Sequence, residues 1–137
     1  MMPSDNPKQG VRARGGCLCG AVRFEVTAGL RDVVLCHCTM CRRIHGHLGA
    51  YAATTKESLR LVESRGLKWY RSSPEARRGF CSECGGILFW ERADRDSISI
   101  TAGSLDPPTG LSTALQIHVD SAGDYYEVDP RIPRRED

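Results

Sequence analysis

A chain of 137 residues has room for one hydrophobic core, and 40% apolar with 26% charged residues is the balance of an ordinary globular domain rather than a disordered or fibrous one. A net charge of +2 is too small to argue for a polyanionic partner, and without a run of about 18 apolar residues no membrane-spanning helix is expected. The seven cysteines are odd in number, and the opening MMPSDNPKQG lacks the apolar stretch of a signal peptide, so metal ligation in a reducing, cytoplasmic setting is expected rather than a secreted disulfide framework.

In chain order, residues 1–10 are polar with two prolines and read as a disordered tail, and a single domain is expected over 11–128. Gly15-Gly16 reads as a turn signal. In Cys17-Leu18-Cys19-Gly20 the two sulfurs share one face of an extended chain. Val22, Phe24 and Val26 alternate with Arg23, Glu25 and Thr27, the pattern of a half-buried strand. Val33-Val34-Leu35 is an apolar strand running into Cys36, and Thr39 to Ile44 looks helical for a turn or two, with Gly46 as its stop. Leu59 and Leu61 flank Arg60 in a further strand pattern.

Arg77 to Phe80 and Ile87 to Trp90 read as the two arms of a hairpin around Cys81-Ser82-Glu83-Cys84-Gly85-Gly86. The second arm is continuously apolar, as in a strand covered on both faces. Ile98 and Ile100 alternate with Ser97, Ser99 and Thr101, and Leu115, Ile117 and Val119 with Gln116, His118 and Asp120. Turn signals stand at Asp106-Pro107-Pro108 and at 121–124. Residues 129–137, DPRIPRRED, are charged and read as a tail or a docking strand. The period is mostly two, so the predicted fold is mainly β, in small antiparallel sheets around metal.

Cysteine spacing carries the chemistry. Cys81 and Cys84 stand three apart on a tight turn and can aim both sulfurs at one tetrahedral ion; a thioredoxin-type redox reading would want a βαβ setting that is missing. Cys17 and Cys19 add the other half of a closed Cys₄ zinc site, unless they are small core residues. Cys36, Cys38 and Cys41 then remain, two on one strand face and one returning from the helix. Three protein ligands with a fourth position for water or substrate is how catalytic zinc sites are built. The alternative is closure by His37, His45, His47 or a carboxylate, which would make this site structural too. His118, on the polar side of its strand, is expected to have no chemical role.

The segments GGCLCGAVRFEV, CHCTMCRRIHG, WYRSSPEARRGFCSECGGILFW, ITAGSLDPPTGL and IHVDSAGDYYEV together resemble the glutathione-dependent formaldehyde-activating enzyme family, whose domain is shared with centromere protein V. The resemblance runs from about Val11 to Arg134. It implies several small coiled sheets, similar to methionine sulfoxide reductase B and zinc-bearing exchange-factor chaperones. It also implies two zinc ions per chain, a structural one at Cys17, Cys19, Cys81 and Cys84 and a catalytic-type one at Cys36, Cys38 and Cys41. The implied reaction joins formaldehyde to glutathione, giving S-hydroxymethylglutathione, with a carbon–sulfur lyase as the enzyme type. An anionic tripeptide needs cations for its carboxylates, and Arg42 and Arg43 are the candidate contacts, with at most one of Arg77 and Arg78 facing any given site. Two other classes compete: a non-enzymatic zinc module for a protein or nucleic-acid partner, and a thiol redox enzyme on the same fold, which would need a metal-free cysteine.

Overall fold

The computed structural model describes residues 10–135. Its strands run in the order β1 (Ala13–Gly16), β2 (Arg23–Val26), β3 (Arg31–Cys36), β4 (Gly49–Thr55), β5 (Leu59–Glu63), β6 (Leu67–Arg71), β7 (Ala76–Cys81), β8 (Ile87–Arg92), β9 (Ser97–Thr101) and β10 (Thr113–Ile117), with one helix, α1 (Thr39–His45), between β3 and β4. A three-stranded sheet has the order β1-β2-β5 and a seven-stranded sheet the order β10-β3-β4-β9-β8-β7-β6. The chain is thus mainly β, in short strands, as its alternating pattern predicts. Every named pair is antiparallel except β10 with β3, which is parallel. The N-terminal tail expected over 1–10 lies, apart from Gly10, outside the described residues.

The core is where the two sheets meet. Phe24 of β2 and Phe89 of β8 are both buried and pack edge to face with ring centroids 5.3 Å apart. Val22, Val26, Leu88, Ile98 and Ile100 fill in around them, and Trp69 of β6 lies over Phe89 at 6.1 Å. On the outer face of the small sheet, Glu25 sits opposite Arg14 on β1 and Arg60 on β5, and it pairs with both at 3.2 and 2.7 Å. Such cross-strand pairs hold register, because a slip of one residue would turn Phe24 outward.

Two details differ from the sequence expectations, and the C-terminal segment follows one of its two readings, that of a docking strand. Gly15 and Gly16 end strand β1 rather than forming a turn. A Cβ on Gly15 would run into the Ser104 carbonyl oxygen and stand 2.6 Å from the Phe24 ring, so the glycine allows a close backbone approach. Strand β10 stops at Ile117, because His118 takes a left-handed conformation at φ 55° and Val119–Ser121 is a 3₁₀ turn. Residues 129–135 lie against β10: the Gln116 N–H donates to the Pro133 carbonyl at 2.8 Å, and the Arg135 N–H donates to the Gln116 carbonyl at 2.9 Å. Among the described residues no helix is long and apolar enough to cross a membrane.

Candidate metal centres

Cys17 follows β1 directly, and Cys81 is the last residue of β7, so the first cysteine cluster joins the two sheets. The sulfurs of Cys17, Cys19, Cys81 and Cys84 all lie within 4.8 Å of one another. Cys17 and Cys19 are 3.8 Å apart, and Cys19 and Cys81 3.7 Å. Four thiolates at about 2.3 Å from one tetrahedral ion stand about 3.8 Å from each other, so these sulfurs are spaced as a zinc shell requires. Backbone donors face them: Val22 N–H to Cys17 at 3.3 Å and Glu83 N–H to Cys81 at 3.4 Å. Gly85, at φ 81°, closes the turn by donating to the Cys81 carbonyl at 2.7 Å. Cys19 is exposed, and Cys17 and Cys84 are only half-buried, which is not the setting of small core residues. The Gly86 N–H and then Cys19 hold the Cys84 thiol down at about 6.

The second cluster grows from one strand end and one helix start. Cys36 closes β3, Cys38 is the N-cap of α1, and Cys41 comes back from the helix's first turn. Cys38 accepts from the Cys41 N–H at 3.2 Å, so a thiol does here what serine or aspartate does at other helix starts. The three sulfurs lie within 4.8 Å of one another, and among the described residues no histidine nitrogen or carboxylate oxygen joins them. Cys36 and Cys41 are buried against Tyr51, with Trp90 and Ile117 completing an apolar wall. Gly49 of β4 pairs with Cys36 and leaves room for the cluster: a Cβ there would be 3.2 Å from the Cys41 sulfur and 3.0 Å from the Tyr51 ring.

Each histidine that was a candidate to close this site is occupied. His37 is buried, with Nδ1 2.7 Å from the Tyr126 hydroxyl and Nε2 2.9 Å from Gln116 Oε1. Gln116 spends its amide N–H groups on the Asp129 and Ile132 carbonyls, so its oxygen is the acceptor and His37 Nε2 the donor. His37 therefore ties the cysteine loop to the C-terminal segment. His45 Nε2 stands 2.6 Å from the Tyr51 hydroxyl, and His47 Nδ1 2.8 Å from that of Tyr125. Burial, then the positive Arg78, hold His45 down at about 4, so it is neutral at pH 7.

The arginines divide. Arg42 and Arg43 lie in the last turn of α1, with Arg43 exposed. Arg77 pairs with Glu91 at 2.9 Å and stacks on Trp69 at 3.9 Å from the ring centroid. Arg78 is 3% exposed, donates to the Tyr51 hydroxyl at 3.1 Å and reaches to 4.0 Å from the Cys41 sulfur. Cys41 is held down at about 6 by its hydrogen bond with Cys36 and by Arg78, against burial, while Cys36 is pushed up by that same bond and by burial. Of the two sulfurs, Cys41 is the one that faces the guanidinium. Tyr51 is the residue that sequence reasoning missed here; of the pair Arg77 and Arg78, at most one of which was expected to face a site, Arg78 is the one that does. The one available signal was period two, which puts Arg78 on the same face of β7 as Ala76, pointing inward.

An open cleft of about 460 Å³ is lined by Gly16, Cys17, Leu18, Gly85 and Gly86 near the four-cysteine set and by Ile44 and His45 of α1, and Cys36, Cys38 and Cys41 are not among its lining residues. Leu18 is 96% exposed at its lip. His45 is the link from this cleft to Tyr51 and the buried cysteines. Both clusters consist wholly of thiols, the donor set that favours zinc and other soft or borderline ions over magnesium or calcium, and both can hold a metal ion.

Residues 12–121 match a family described as glutathione-dependent formaldehyde-activating enzyme. An uncharacterized lyase of Schizosaccharomyces pombe is 27% identical over 115 residues, which is 82% of each chain. The crystal structure of a Rhodobacter sphaeroides protein, a structural-genomics target, aligns with a TM-score of 0.60 and 24% identity over 89% of this chain and 99% of that one, a likeness of fold.

Proposed function

Since the chain belongs to the glutathione-dependent formaldehyde-activating enzyme family, we propose that it is a zinc-dependent carbon–sulfur lyase-type enzyme acting on a thiol–aldehyde adduct of the S-hydroxymethylglutathione kind. In this reading Cys17, Cys19, Cys81 and Cys84 hold a structural zinc, and Cys36, Cys38 and Cys41 hold a second one at the working site. The lyase name of the fission-yeast relative supports the reaction type. The observation that carries the reading is the second cluster itself: three sulfurs within 4.8 Å, with no fourth protein ligand among the described residues. A reducing compartment such as the cytoplasm suits seven free thiols.

A zinc ion bound there would supply Lewis acidity toward an aldehyde oxygen and stabilise a thiol as its thiolate. The reaction forms a carbon–sulfur bond and breaks the carbonyl π bond, with the thiol proton passing to the oxygen. The chain's own residues set the conditions. Trp90, Ile117 and Tyr51 keep water from the buried sulfurs, which strengthens electrostatic interactions there. Holding both reactants at the site replaces a bimolecular encounter by an oriented one. Arg42 and Arg43 are the proposed partners for the tripeptide's carboxylates.

The test is an exchange experiment. Mixtures of glutathione and ¹³C-formaldehyde interconvert with their adduct without catalyst, and NMR exchange spectroscopy gives the rate. The zinc-loaded protein should accelerate exchange in proportion to its concentration, and Cys38→Ser should abolish the acceleration. Exchange at the protein-free rate, in a sample shown to carry two zinc ions per chain, would remove the reading.

A further inference from the structure

Strand β7 sends two neighbouring arginines to opposite faces, and only one of them has the partners of a structural arginine. Arg77 has a carboxylate, Glu91, and an aromatic face, Trp69. Arg78 is the more deeply buried of the two, yet among the described residues it pairs with no carboxylate. One arm of its fork goes to the Tyr51 hydroxyl and the other toward Cys41, while its buried Nε has no hydrogen-bond partner. A buried charge is retained only where an opposite charge offsets its desolvation. The group within reach that becomes an anion is the Cys41 sulfur.

We propose that Arg78 is the fixed counter-charge of the Cys36, Cys38 and Cys41 set, a positioning residue that lets three thiolates gather around a divalent cation in a buried place. The inference rests on the reading that this set binds a cation. Three thiolates and a divalent ion sum to one negative charge, and Arg78 brings the sum to zero. The four-cysteine set would carry two negative charges, but it meets water at Cys19 and the partly exposed Arg23 and Arg65 nearby, so it needs no buried partner. The two clusters thus settle the same electrostatic problem differently, one by solvent and one by a dedicated guanidinium. Tyr51 acts as the brace: its hydroxyl accepts from Arg78 and stands 2.6 Å from His45 Nε2, which fixes where the charge sits.

The test compares wild type with Arg78→Lys, Arg78→Gln and Tyr51→Phe. Zinc per chain is read by elemental analysis, and zinc affinity by competition with graded chelators. Cobalt(II) substitution adds the sulfur-to-cobalt absorption of each site. Loss of a partner that orients or charges a ligand typically costs about 10–100-fold in metal affinity. Arg78→Gln should lose that much or more at the second site, with the four-cysteine site unchanged. Arg78→Lys should regain part of it, since the charge stays and the fork is lost. Tyr51→Phe should fall between wild type and Arg78→Gln. A merely structural arginine would weaken both sites together and would not separate lysine from glutamine. Equal second-site affinity in Arg78→Lys and Arg78→Gln overturns the proposal, as does an Arg78→Gln protein that holds its second cation as tightly as wild type. Wild type that binds a single cation overturns both this assignment and the catalytic reading, whereas two cations in wild type with an indifferent Arg78→Gln overturns the assignment alone.

Discussion

Replacing Cys84 by serine should unfold the protein. The four-cysteine set is built from the end of β1 in one sheet and the β7–β8 turn of the other, so it closes the contact across which Phe24 and Phe89 pack. Structural zinc in small domains contributes about 10–16 kcal/mol of folding free energy. A chain of this length has about 7–20 kcal/mol of stability in total, at 0.05–0.15 kcal/mol per residue. A site that has lost one thiolate keeps only part of the metal's contribution, so the remainder is close to zero. The assay is urea unfolding followed by far-UV circular dichroism, in reductant, with and without a chelator. Cys38→Ser is the internal control: it should stay folded with one zinc fewer, because Cys36, Cys38 and Cys41 lie at one strand end and one helix start of a single sheet region. The structural assignment fails if Cys84→Ser unfolds within about 1 kcal/mol of wild type, or if Cys38→Ser unfolds just as readily.

Gly49→Ala places a methyl group 3.0 to 3.2 Å from the Tyr51 ring, the His45 ring and the Cys41 sulfur, so it should cost about 1–3 kcal/mol and lower zinc occupancy at the second site, both readable on one purified sample. Gly15→Ala meets the Ser104 carbonyl and the Phe24 ring and should lower the urea midpoint without changing zinc content. Glu25 has its carboxyl held below the usual range by Arg60 and then Arg14, so its pairs stabilise above the unfolded carboxylate pKa and are lost as pH falls through the folded value. Glu25→Gln should therefore cost about 0.2–1 kcal/mol per pair at neutral pH, cost nothing in acid, and flatten the acid limb of a stability–pH curve.

The grouping of the cysteines into four and three was legible because such spacing is local: two sulfurs on a strand face, two on a knuckle, and a third pair with a helical return can be read without the fold. The alternating strands β2, β9 and β10 were legible for the same reason. Strand β4 was not, because Gly49-Ala50-Tyr51-Ala52-Ala53 has small residues on both faces and shows no period; its small side chains admit the buried sulfurs and the neighbouring strands. Strand β6 was missed because, at an edge, Leu67, Trp69 and Tyr70 are half-buried or exposed among Lys68 and Arg71. The destination of Arg78 depends on β4 lying three strands away, beyond β8 and β9, and no local pattern contains that. His37 was one of the alternatives for closing the second site, but the extended chain turns it to the opposite side, toward Gln116 and Tyr126.

The central claim is that seven cysteines divide into four that hold the fold and three that hold a working cation. Elemental analysis of zinc per chain tests it most directly, on protein purified with reductant and without chelator, for wild type and Cys38→Ser. Two zinc ions in wild type and one in folded Cys38→Ser is the predicted result. One zinc ion in both would leave Cys36, Cys38 and Cys41 as free thiols and contradict the account.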